Sequence, residues 1–213
     1  MISEERINTF INSLDKGNAP YLDELERIAL SDEVPIIRKD TQSLIKFLLT
    51  LTHPKKILEV GCATGFSALL MAEYSDEDTK ITTIEKFEKR IPVAKDNFNK
   101  YDKTGKITLL EGDAINILAG LSESYDFIFM DAAKGQYLNF LPDCKRLLRQ
   151  GGLLLSDNVL QDGDVMESRF AVTRRNRTIH ERMREYLYTI KHDPELESVV
   201  INVGDGMAIS VRK

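Results

Sequence analysis

Residues 56–67, with the sequence KILEVGCATGFS, constrain the fold more than any other stretch of the chain. They begin as an apolar strand, break at a turn between Gly61 and Gly65, and resume as an apolar helix at Ser67. A helix that begins after such a turn presents free backbone N–H groups and its positive dipole end to a crevice, which suits a nucleotide-like ligand. The turn lacks the GxGxxG spacing of dinucleotide-binding proteins and the lysine of a phosphate-binding loop. Taken alone, it is equally compatible with a tight strand-to-helix connection.

Strand and helix patterns alternate after this stretch. Apolar strands are predicted at residues 57–60, 81–85, 107–113, 125–131 and 153–158, and helices at 87–101, 114–118, 137–148 and 167–192. This alternation predicts an α/β fold with a mostly parallel sheet covered by helices on both faces. Near the C-terminus, the turn 204–206 joins two apolar runs, 196–203 and 207–211. An Asp-Gly turn between apolar runs is typical of a hairpin, so the last strand is predicted to be antiparallel.

The first 53 residues predict a helical extension of this α/β unit. Apolar residues recur at helical spacing in 7–14 and 22–29, and a third helix is predicted to begin at a cap formed by Asp40 or Thr41 and to end before Pro54. We therefore expect a single domain over residues 1–213, with a helical N-terminal extension (1–53) and an α/β core (56–213). Added helices of this kind commonly pack on a sheet edge or on a second subunit, so we expect a homodimer.

The composition narrows the class of protein. No apolar run reaches the roughly 20 residues that a membrane helix needs, and no apolar signal-peptide region follows the charged start MISEER. The two cysteines, Cys62 and Cys144, lack CxxC spacing, which fits reduced thiols. We therefore expect a cytoplasmic protein without membrane association. The net charge of -5 disfavours general binding of polyanions, so any contact with nucleic acid must come from a local basic patch.

Acidic residues end four of the predicted parallel strands, namely Glu85, Asp113, Asp131 and Asp157. Because ligands of open α/β sheets bind at the carboxyl ends of the strands, we expect these acids to line one crevice. Asp131, Asp157 and Asn158 also offer carboxylate and amide oxygens, the hard ligands that suit Mg²⁺ or a similar octahedral ion. The alternative for Asp157 and Asn158 is a simple turn, which both residue types favour.

Several motifs together resemble those of the cation-dependent O-methyltransferases, the family that includes the catechol and caffeoyl-CoA O-methyltransferases. They are EVGCATGFS at 59–67, the acid at 85, GDA at 112–114, MDAAK at 130–134 and SDNV at 156–159. The resemblance extends from residue 34 to the C-terminus. It implies a Rossmann-like class I methyltransferase fold with S-adenosylmethionine as cofactor. Glu85 would bind the ribose hydroxyls, and Asp113 and Ala114 would contact the adenine. The remaining cofactor-binding residues that it implies are Ile37, Glu59, Gly61, Ser67 and Asp131.

The resemblance assigns the chemistry to Asp131 and Lys134. A divalent ion bound to the acceptor oxygen stabilises the oxyanion and orients it toward the sulfonium methyl group. Here Asp131, Asp157 and Asn158 would hold Mg²⁺ or Mn²⁺. An ordinary lysine is protonated at neutral pH. Lys134 must therefore either lose its proton near the metal and act as the base, the role we predict, or remain a cation that stabilises the oxyanion.

A basic segment follows the fifth strand. Residues 169–191 contain seven Arg and Lys residues and two acids, a net charge of +5 in a chain whose total is -5. The apolar residues that recur at helical spacing, and so predict the buried face of a helix, are Ile179, Met183, Leu187 and Ile190. Arg177 and Arg184 are predicted to share an exposed face. The predicted tRNA-binding residues are Arg174, Arg175, Arg177 and Arg184. The alternative is a solvated charged surface without a ligand.

Two parts of this segment, 173–179 and 182–187, resemble a bacterial branch of the family, the tRNA 5-hydroxyuridine methyltransferases. The resemblance implies that the substrate is the wobble uridine of a tRNA anticodon stem-loop, whose 5-hydroxyl is methylated to give 5-methoxyuridine. The chemistry is coherent, because that hydroxyl and the neighbouring O4 carbonyl form a catechol-like chelating pair. A base of the anticodon loop is also unpaired and can enter a pocket.

Three other functions compete with this interpretation. A small-molecule catechol O-methyltransferase would have the same core, with the arginines as mere surface. A nicotinamide-dependent oxidoreductase is disfavoured because the first turn lacks GxGxxG. A non-catalytic binding or assembly protein would use the N-terminal helices and transfer no methyl group.

Overall fold

The computed structural model describes residues 4–213, which form a seven-stranded sheet with helices packed on both faces. Residues 1–3, where the charged N-terminal stretch begins, lie outside the described residues. The strands are β1 Lys56–Val60, β2 Lys80–Glu85, β3 Ile107–Glu111, β4 Tyr125–Met130, β5 Leu148–Ser156, β6 Leu196–Ile201 and β7 Met207–Arg212. The helices are α1 Glu4–Ser13, α2 Pro20–Ser31, α3 Lys39–Thr52, α4 Phe66–Tyr74, α5 Ile91–Tyr101, α6 Ala114–Gly120, α7 Tyr137–Leu147 and α8 Arg177–His192.

The strand order is β3-β2-β1-β4-β5-β7-β6. All neighbouring strands from β3 to β5 are parallel, while β7 is antiparallel to both β5 and β6. The predicted mostly parallel sheet with an antiparallel last strand is confirmed. The chain runs outward from β1 to β3 and then returns to β4 on the other side of β1. This reversal opens a crevice at the carboxyl ends of β1 and β4.

Two apolar clusters hold the helices against the sheet. Leu58 and Ile128 face one cluster with α6, α7 and α8, while Ile57 and Phe127 face the other with α2, α3 and α4. Successive residues of a strand point to opposite faces, so each central strand contributes to both clusters. This double burial explains why the strands are apolar runs rather than alternating patterns. No helix in the described part of the chain is long and apolar enough to cross a membrane.

Gly61 is required where β1 meets the end of β4. Its φ is +94°, and a Cβ atom there would lie 2.2 Å from the backbone oxygen of Asp131. Both the backbone conformation and the close approach exclude a side chain. The predicted turn therefore brings the end of β1 against Asp131 of the MDAAK motif (130–134).

Two helices begin later than the sequence pattern predicts. The first is α5, which begins at Ile91 rather than at residue 87, because Pro92 favours the first turn of a helix and the Glu85 carboxylate accepts hydrogen bonds from the amides of Lys86 and Phe87. The second is α8, which begins at residue 177 rather than at 167. The preceding residues form a 3-10 segment (161–166) and a turn-rich loop, in which the Ser168 side chain accepts from a nearby amide and competes with helix formation.

The cap predicted for α3 is also wrong. The helix begins at Lys39, and its N-cap residue Arg38 makes no side-chain cap. Asp40 lies in the first turn, where its carboxylate accepts from the amides of Thr41 (3.0 Å) and Gly204 (2.7 Å). The side chain that was expected to begin the helix therefore ties it to the distant turn between β6 and β7.

The buried face of α8 differs from the predicted one. Its buried residues are His180, Met183, Tyr186 and Ile190, whereas Ile179 and Leu187 are only partly buried. Arg184 is exposed as expected, but Arg177 is half-buried at the start of the helix. Tyr186 is accommodated in the core because its hydroxyl lies 2.5 Å from the Ser156 hydroxyl of β5.

Candidate active site

A cavity of about 550 Å³ opens at the carboxyl ends of the central strands, within the size range of small-molecule sites. The acids at the ends of β2, β3, β4 and β5 meet there because parallel strands end at the same edge of the sheet. Nine predicted site residues line it, namely Ile37, Gly61, Glu85, Asp113, Ala114, Asp131, Lys134, Asp157 and Asn158. Asp113, Asp131, Asp157 and Asn158 lie just past the last residues of their strands rather than within them.

Glu59 and Ser67 lie behind the wall of the cavity and do not line it. Glu59 is fully buried within β1, and its carboxyl accepts a hydrogen bond from the Thr83 hydroxyl. Burial raises the pKa of Glu59 to about 7, an effect that hydrogen bonds from Ser67 and Thr83 partly offset. Its second oxygen, Oε1, has no hydrogen-bond partner among the described residues.

Glu85 at the end of β2 is held by backbone amides. Its Oε2 accepts from Ala63 (2.7 Å), and its Oε1 accepts from Lys86 (2.9 Å) and Phe87 (2.8 Å). The carboxylate thereby connects the glycine turn after β1 to the turn after β2. These contacts fix its position at the cavity, and truncating the side chain would leave three amides without their acceptor.

Asp113 has a structural role in addition to its place at the cavity. It is the N-cap residue of α6, with its carboxylate 2.9 Å from the amide of Ile115 and 3.3 Å from Lys86 Nζ. The hydrogen bond from Ile115 and the neighbouring Lys86 lower the pKa of Asp113. Its side chain is therefore an ionised acceptor at the mouth of the cavity, next to Ala114.

Two interacting acids of the cavity are Asp157, which is buried, and Asp131, which is half-buried. Burial raises the pKa of both carboxyls, and the charge of Asp131 raises that of Asp157 further, while Lys134 and Arg90 act in the opposite direction on Asp131. Two neighbouring carboxylates with reduced hydration are costly to ionise without a cation between them. Together with the Asn158 amide, they form a hard-oxygen donor set that fits a divalent ion such as Mg²⁺.

The structure describes no group of three or more His, Cys, Asp and Glu side chains that could hold a metal in residues 4–213. The proposed set contains only two such residues, with an amide as the third ligand. Asn158 adopts a left-handed conformation, φ +55°, which Asn tolerates better than most residues. Asn158 lines the cavity in this conformation.

The hydroxyl of Tyr137 lies close to both strand ends that bear these ligands. It is 3.2 Å from the carbonyl oxygen of Met130 and 3.0 Å from that of Asp157. The side chain is fully buried and packs edge-on against Tyr186. Its hydroxyl therefore bridges the ends of β4 and β5 in a region where no water is needed to satisfy it.

Lys134 has a partner that the sequence pattern did not reveal. Its Nζ lies 3.4 Å from the carboxylate of Asp205, a buried residue in the turn before β7. Arg182 of α8 donates to the carbonyl oxygen of Gly135 at 2.7 Å, directly after the lysine. The sequence pattern indicates only that Asp205 belongs to a hairpin turn. Glycines on both sides of an acid were the one signal that could have singled it out.

A family model for O-methyltransferases matches residues 12–213. The chain belongs to the O-methyltransferase family. Caffeoyl-CoA O-methyltransferase 1 of Eucalyptus globulus is 33% identical over 183 residues, which cover 81% of this chain and 73% of the relative. Catechol O-methyltransferase of Niastella koreensis is 34% identical over 127 residues, 58% of each chain.

Two solved structures share this O-methyltransferase architecture over nearly their whole length. A Staphylococcus aureus protein provisionally assigned as a caffeoyl-CoA O-methyltransferase has a TM-score of 0.90 and 31% identity, with 99% of this chain and 100% of that chain covered. The Podospora anserina methyltransferase PaMTH1, solved with bound SAH, has a TM-score of 0.90 and 25% identity, with 100% and 97% covered. The predicted Rossmann-like methyltransferase fold is thereby confirmed.

The four predicted tRNA-binding arginines of this O-methyltransferase do not line the cavity. Arg177 donates to the carbonyl oxygen of Val172 (3.3 Å) and Arg184 to that of Val165 (2.9 Å), so both are engaged with the preceding loop. Arg174 and Arg175 are exposed, and in the described part of the chain neither has a hydrogen bond or an ion pair. The structure therefore divides the set into two arginines that hold the loop and two that face solvent.

Proposed function

We propose that this O-methyltransferase transfers the methyl group of S-adenosylmethionine to the 5-hydroxyl of 5-hydroxyuridine at the tRNA wobble position, giving 5-methoxyuridine. The observation that carries the proposal is a cavity that holds Asp131 and Asp157 and whose Lys134 side is connected by side-chain contacts to a basic segment. Arg182 connects α8 to Gly135 at the cavity, and the loop before α8 carries Arg174 and Arg175 with free guanidinium groups. An anionic acceptor larger than the cavity fits this arrangement.

The cofactor assignment has support from both the cavity and the similar structures. PaMTH1 binds SAH, the product that S-adenosylmethionine leaves after methyl transfer. In this chain, Glu85 would accept from the ribose hydroxyls, and Asp113 and Ala114 would border the adenine. Ile37 and Gly61 would line the methionine side, while Glu59 and Ser67 support that wall from behind.

Asp131, Asp157 and Asn158 would hold a divalent cation, Mg²⁺ or Mn²⁺, which supplies a Lewis acid beside the acceptor hydroxyl. The chain's own contribution is to keep two carboxylates and an amide oxygen together in the cavity. Tyr137 contributes by joining the two strand ends. Asp131 thus serves the cation and also borders the cofactor.

Lys134 is the residue that we assign to the reacting oxygen. In our proposal the acceptor hydroxyl releases its proton to water before methyl transfer, and Lys134, whose Nζ contacts the Asp205 carboxylate, stabilises the negative charge left on the acceptor oxygen. Asp205 holds Lys134 from one side, and Arg182 fixes the backbone at Gly135 on the other.

The acceptor must reach the metal ligands through the mouth of the cavity. A wobble base is unpaired, so it can leave the anticodon loop and enter, with its 5-hydroxyl and O4 oxygens directed at the cation site. The phosphates on either side would then meet Arg174 and Arg175. A tRNA substrate also implies a cytoplasmic location.

A second candidate is O-methylation of a small catechol-like compound. It is favoured by the names of relatives such as caffeoyl-CoA and catechol O-methyltransferase. The two candidates share the cofactor, the cation ligands and Lys134, and they differ only in the acceptor.

The test is methyl transfer by the purified full-length protein with labelled S-adenosylmethionine and Mg²⁺. tRNA from a strain lacking this gene should acquire label in 5-methoxyuridine, measured by nucleoside mass spectrometry. A transcript of the same tRNA without hydroxylated uridine is the control and should stay unlabelled. Labelling of catechol or caffeoyl-CoA without labelling of the tRNA would replace the proposal with the second candidate.

We further propose a homodimer formed through the N-terminal helices. Supporting it, large apolar side chains of α1 and α3 are exposed, among them Phe10, Ile11, Phe47 and Leu51. An apolar surface of this kind is rare on a monomer. Sedimentation equilibrium should give twice the chain mass, and a monomer at micromolar concentration would contradict the assignment.

A further inference from the structure

Phe170 has the highest exposed fraction, 85%, of the large apolar side chains in the described part of the chain. It lies in the loop 167–176, between the 3-10 segment and α8. Met166, just before the loop, is 72% exposed. Exposure costs the phenyl ring the stabilisation that burial would bring, and it leaves the ring accessible to a ligand.

The loop that carries Phe170 is firmly attached to the rest of the molecule. Val165 and Val172, on either side of Phe170, are buried. The carbonyl oxygen of Val165 accepts from Arg184 (2.9 Å), and that of Glu167 lies 3.1 Å from His180 Nε2. Phe170 is therefore presented to solvent by an anchored loop.

Both ends of this loop connect to the surroundings of Lys134. Before the loop, the carboxylate of Asp205, which contacts Lys134, also accepts from the amide of Asp162 (2.5 Å). After the loop, α8 contacts Gly135 through Arg182. These contacts connect the segments that flank the loop to the Lys134 side of the cavity, so we expect a molecule larger than the cavity to reach the loop.

The charge around Phe170 indicates the chemistry of that molecule. Residues 168–177 contain four arginines and no acid. Arg169 forms an ion pair with Glu181 (2.9 Å), and Arg174 and Arg175 remain free for a ligand in the described part of the chain. An apolar protein surface would leave these charges without partners. An aromatic ring with nearby free cations matches single-stranded nucleic acid, whose bases stack and whose phosphates bind arginine.

We propose that Phe170 is a stacking platform for an unpaired anticodon-loop base adjacent to the base in the cavity, with Arg174 and Arg175 on the flanking phosphates. The inference rests on the proposed function, because it takes tRNA as the substrate. Stacking on a phenyl ring requires an unpaired base but no particular base identity. Phe170 thus selects for loop structure, whereas the cavity selects the hydroxylated uridine.

The absence of tryptophan from the sequence permits a direct optical test. In the Phe170→Trp variant, the introduced indole is the only one, and a base stacked on it should quench its fluorescence. The matched control is Phe47→Trp, on an exposed phenylalanine of α3 (62%). Titration with a 17-nucleotide anticodon stem-loop should quench the first variant and leave the second unchanged. A fully paired RNA hairpin stem should quench neither.

Affinity provides the second measurement. By the usual cost of removing one base–aromatic stack, Phe170→Ala should raise Kd for the stem-loop roughly 5- to 150-fold, while Phe170→Tyr should retain binding. Affinity for S-adenosylmethionine and the melting temperature should stay unchanged in both, because the ring is outside the core.

Lack of quenching in Phe170→Trp, with wild-type tRNA kinetics in Phe170→Ala, would overturn the stacking role and leave the proposed function intact. If the wild-type protein instead methylates only catechols and does not bind the stem-loop, the proposed function fails, and the stacking role fails with it. A dimer that dissociates only in Phe170→Ala would mean that a second copy of the chain covers the ring, which also overturns the proposal.

Discussion

The cavity and the loop 167–176 lie close to each other, yet their charged side chains differ in exposure to water. In the cavity, Asp157 is buried and Asp131 is half-buried, and loss of hydration raises the pKa values of both. On the loop, Arg174 and Arg175 remain exposed to water and free of partners in the described part of the chain. Water and salt screen exposed charges over about 10 Å, whereas buried charges interact strongly and independently of salt. Substitutions in the cavity should therefore have large effects that do not depend on salt. Those on the loop should have small effects that do.

The largest effect is expected for Asp157. Replacing it by Ala removes one of two carboxylates from the proposed cation site and should lower kcat at least about 100-fold, as expected for loss of charge stabilisation at the reacting oxygen. Chelation of the wild-type protein should abolish turnover. Added Mg²⁺ or Mn²⁺ should restore turnover in the wild type but not in Asp157→Ala.

Isothermal titration with Mn²⁺ provides a readout apart from turnover, since Asp157→Ala should lose metal binding and keep S-adenosylmethionine binding. Full turnover by a metal-free wild-type preparation would remove the cation from the proposal. In that case Asp131 and Asp157 would have no role as cation ligands.

The second effect concerns the pH dependence of stability. Burial raises the pKa of Glu59 to about 7, so the folded state retains its proton between about pH 4.5 and pH 7, where the unfolded state has lost it. The resulting stabilisation is complete below pH 4.5 and is lost as pH rises through 7. Glu59→Gln should therefore be more stable than wild type at pH 8, by up to about 3 kcal/mol, and nearly equal at pH 4.5.

Urea denaturation of ligand-free protein at the two pH values measures this difference. The charge of Asp131 contributes to the raised pKa of Glu59, so the difference between the two proteins reports Glu59 together with that interaction. An equal stability difference at pH 4.5 and pH 8 would show that the Glu59 carboxyl has the same pKa in the folded and unfolded states. The contrast between the buried acids and the exposed loop would then be weaker.

A smaller effect is expected for Tyr137→Phe, which keeps the ring in the core and removes only the hydroxyl. Two carbonyl oxygens would lose their shared donor, at a cost of about 1–2 kcal/mol in unfolding free energy. If the hydroxyl also orients the cation ligands, Mn²⁺ affinity should fall in the folded variant. Unchanged Mn²⁺ affinity would restrict Tyr137 to a structural role.

The smallest effects are expected on the loop. Replacing Arg174 and Arg175 by Ala should reduce the slope of log Kd for tRNA against log salt by roughly 0.7 for each arginine, because each phosphate contact releases counterions. The matched double variant at Arg177 and Arg184 should lower stability through lost contacts with the loop and change the salt slope less. Equal slopes in wild type and in the Arg174 and Arg175 double variant would leave these arginines as a solvated surface.

The sequence by itself determined the α/β alternation, the antiparallel last strand and the acids that line the cavity. These features depend on local patterns, because apolar runs mark buried strands and the acids after them must meet at one edge of a parallel sheet. The sequence alone therefore predicts that Glu85, Asp131 and Asp157 lie together. The resemblance to the O-methyltransferases then assigned them expected roles.

Only the tertiary structure decided which distant side chains hold these residues. Asp205 contacts Lys134 across 71 positions, and Asp40 binds the Gly204 amide instead of capping its own helix. The late start of α8 has the same origin, since the loop before it is held by contacts from residues further along the helix. Periodicity records which face of a helix is apolar. It does not predict which polar residues from distant parts of the sequence form contacts. The free energy of those contacts depends on the low dielectric and fixed geometry of the folded interior.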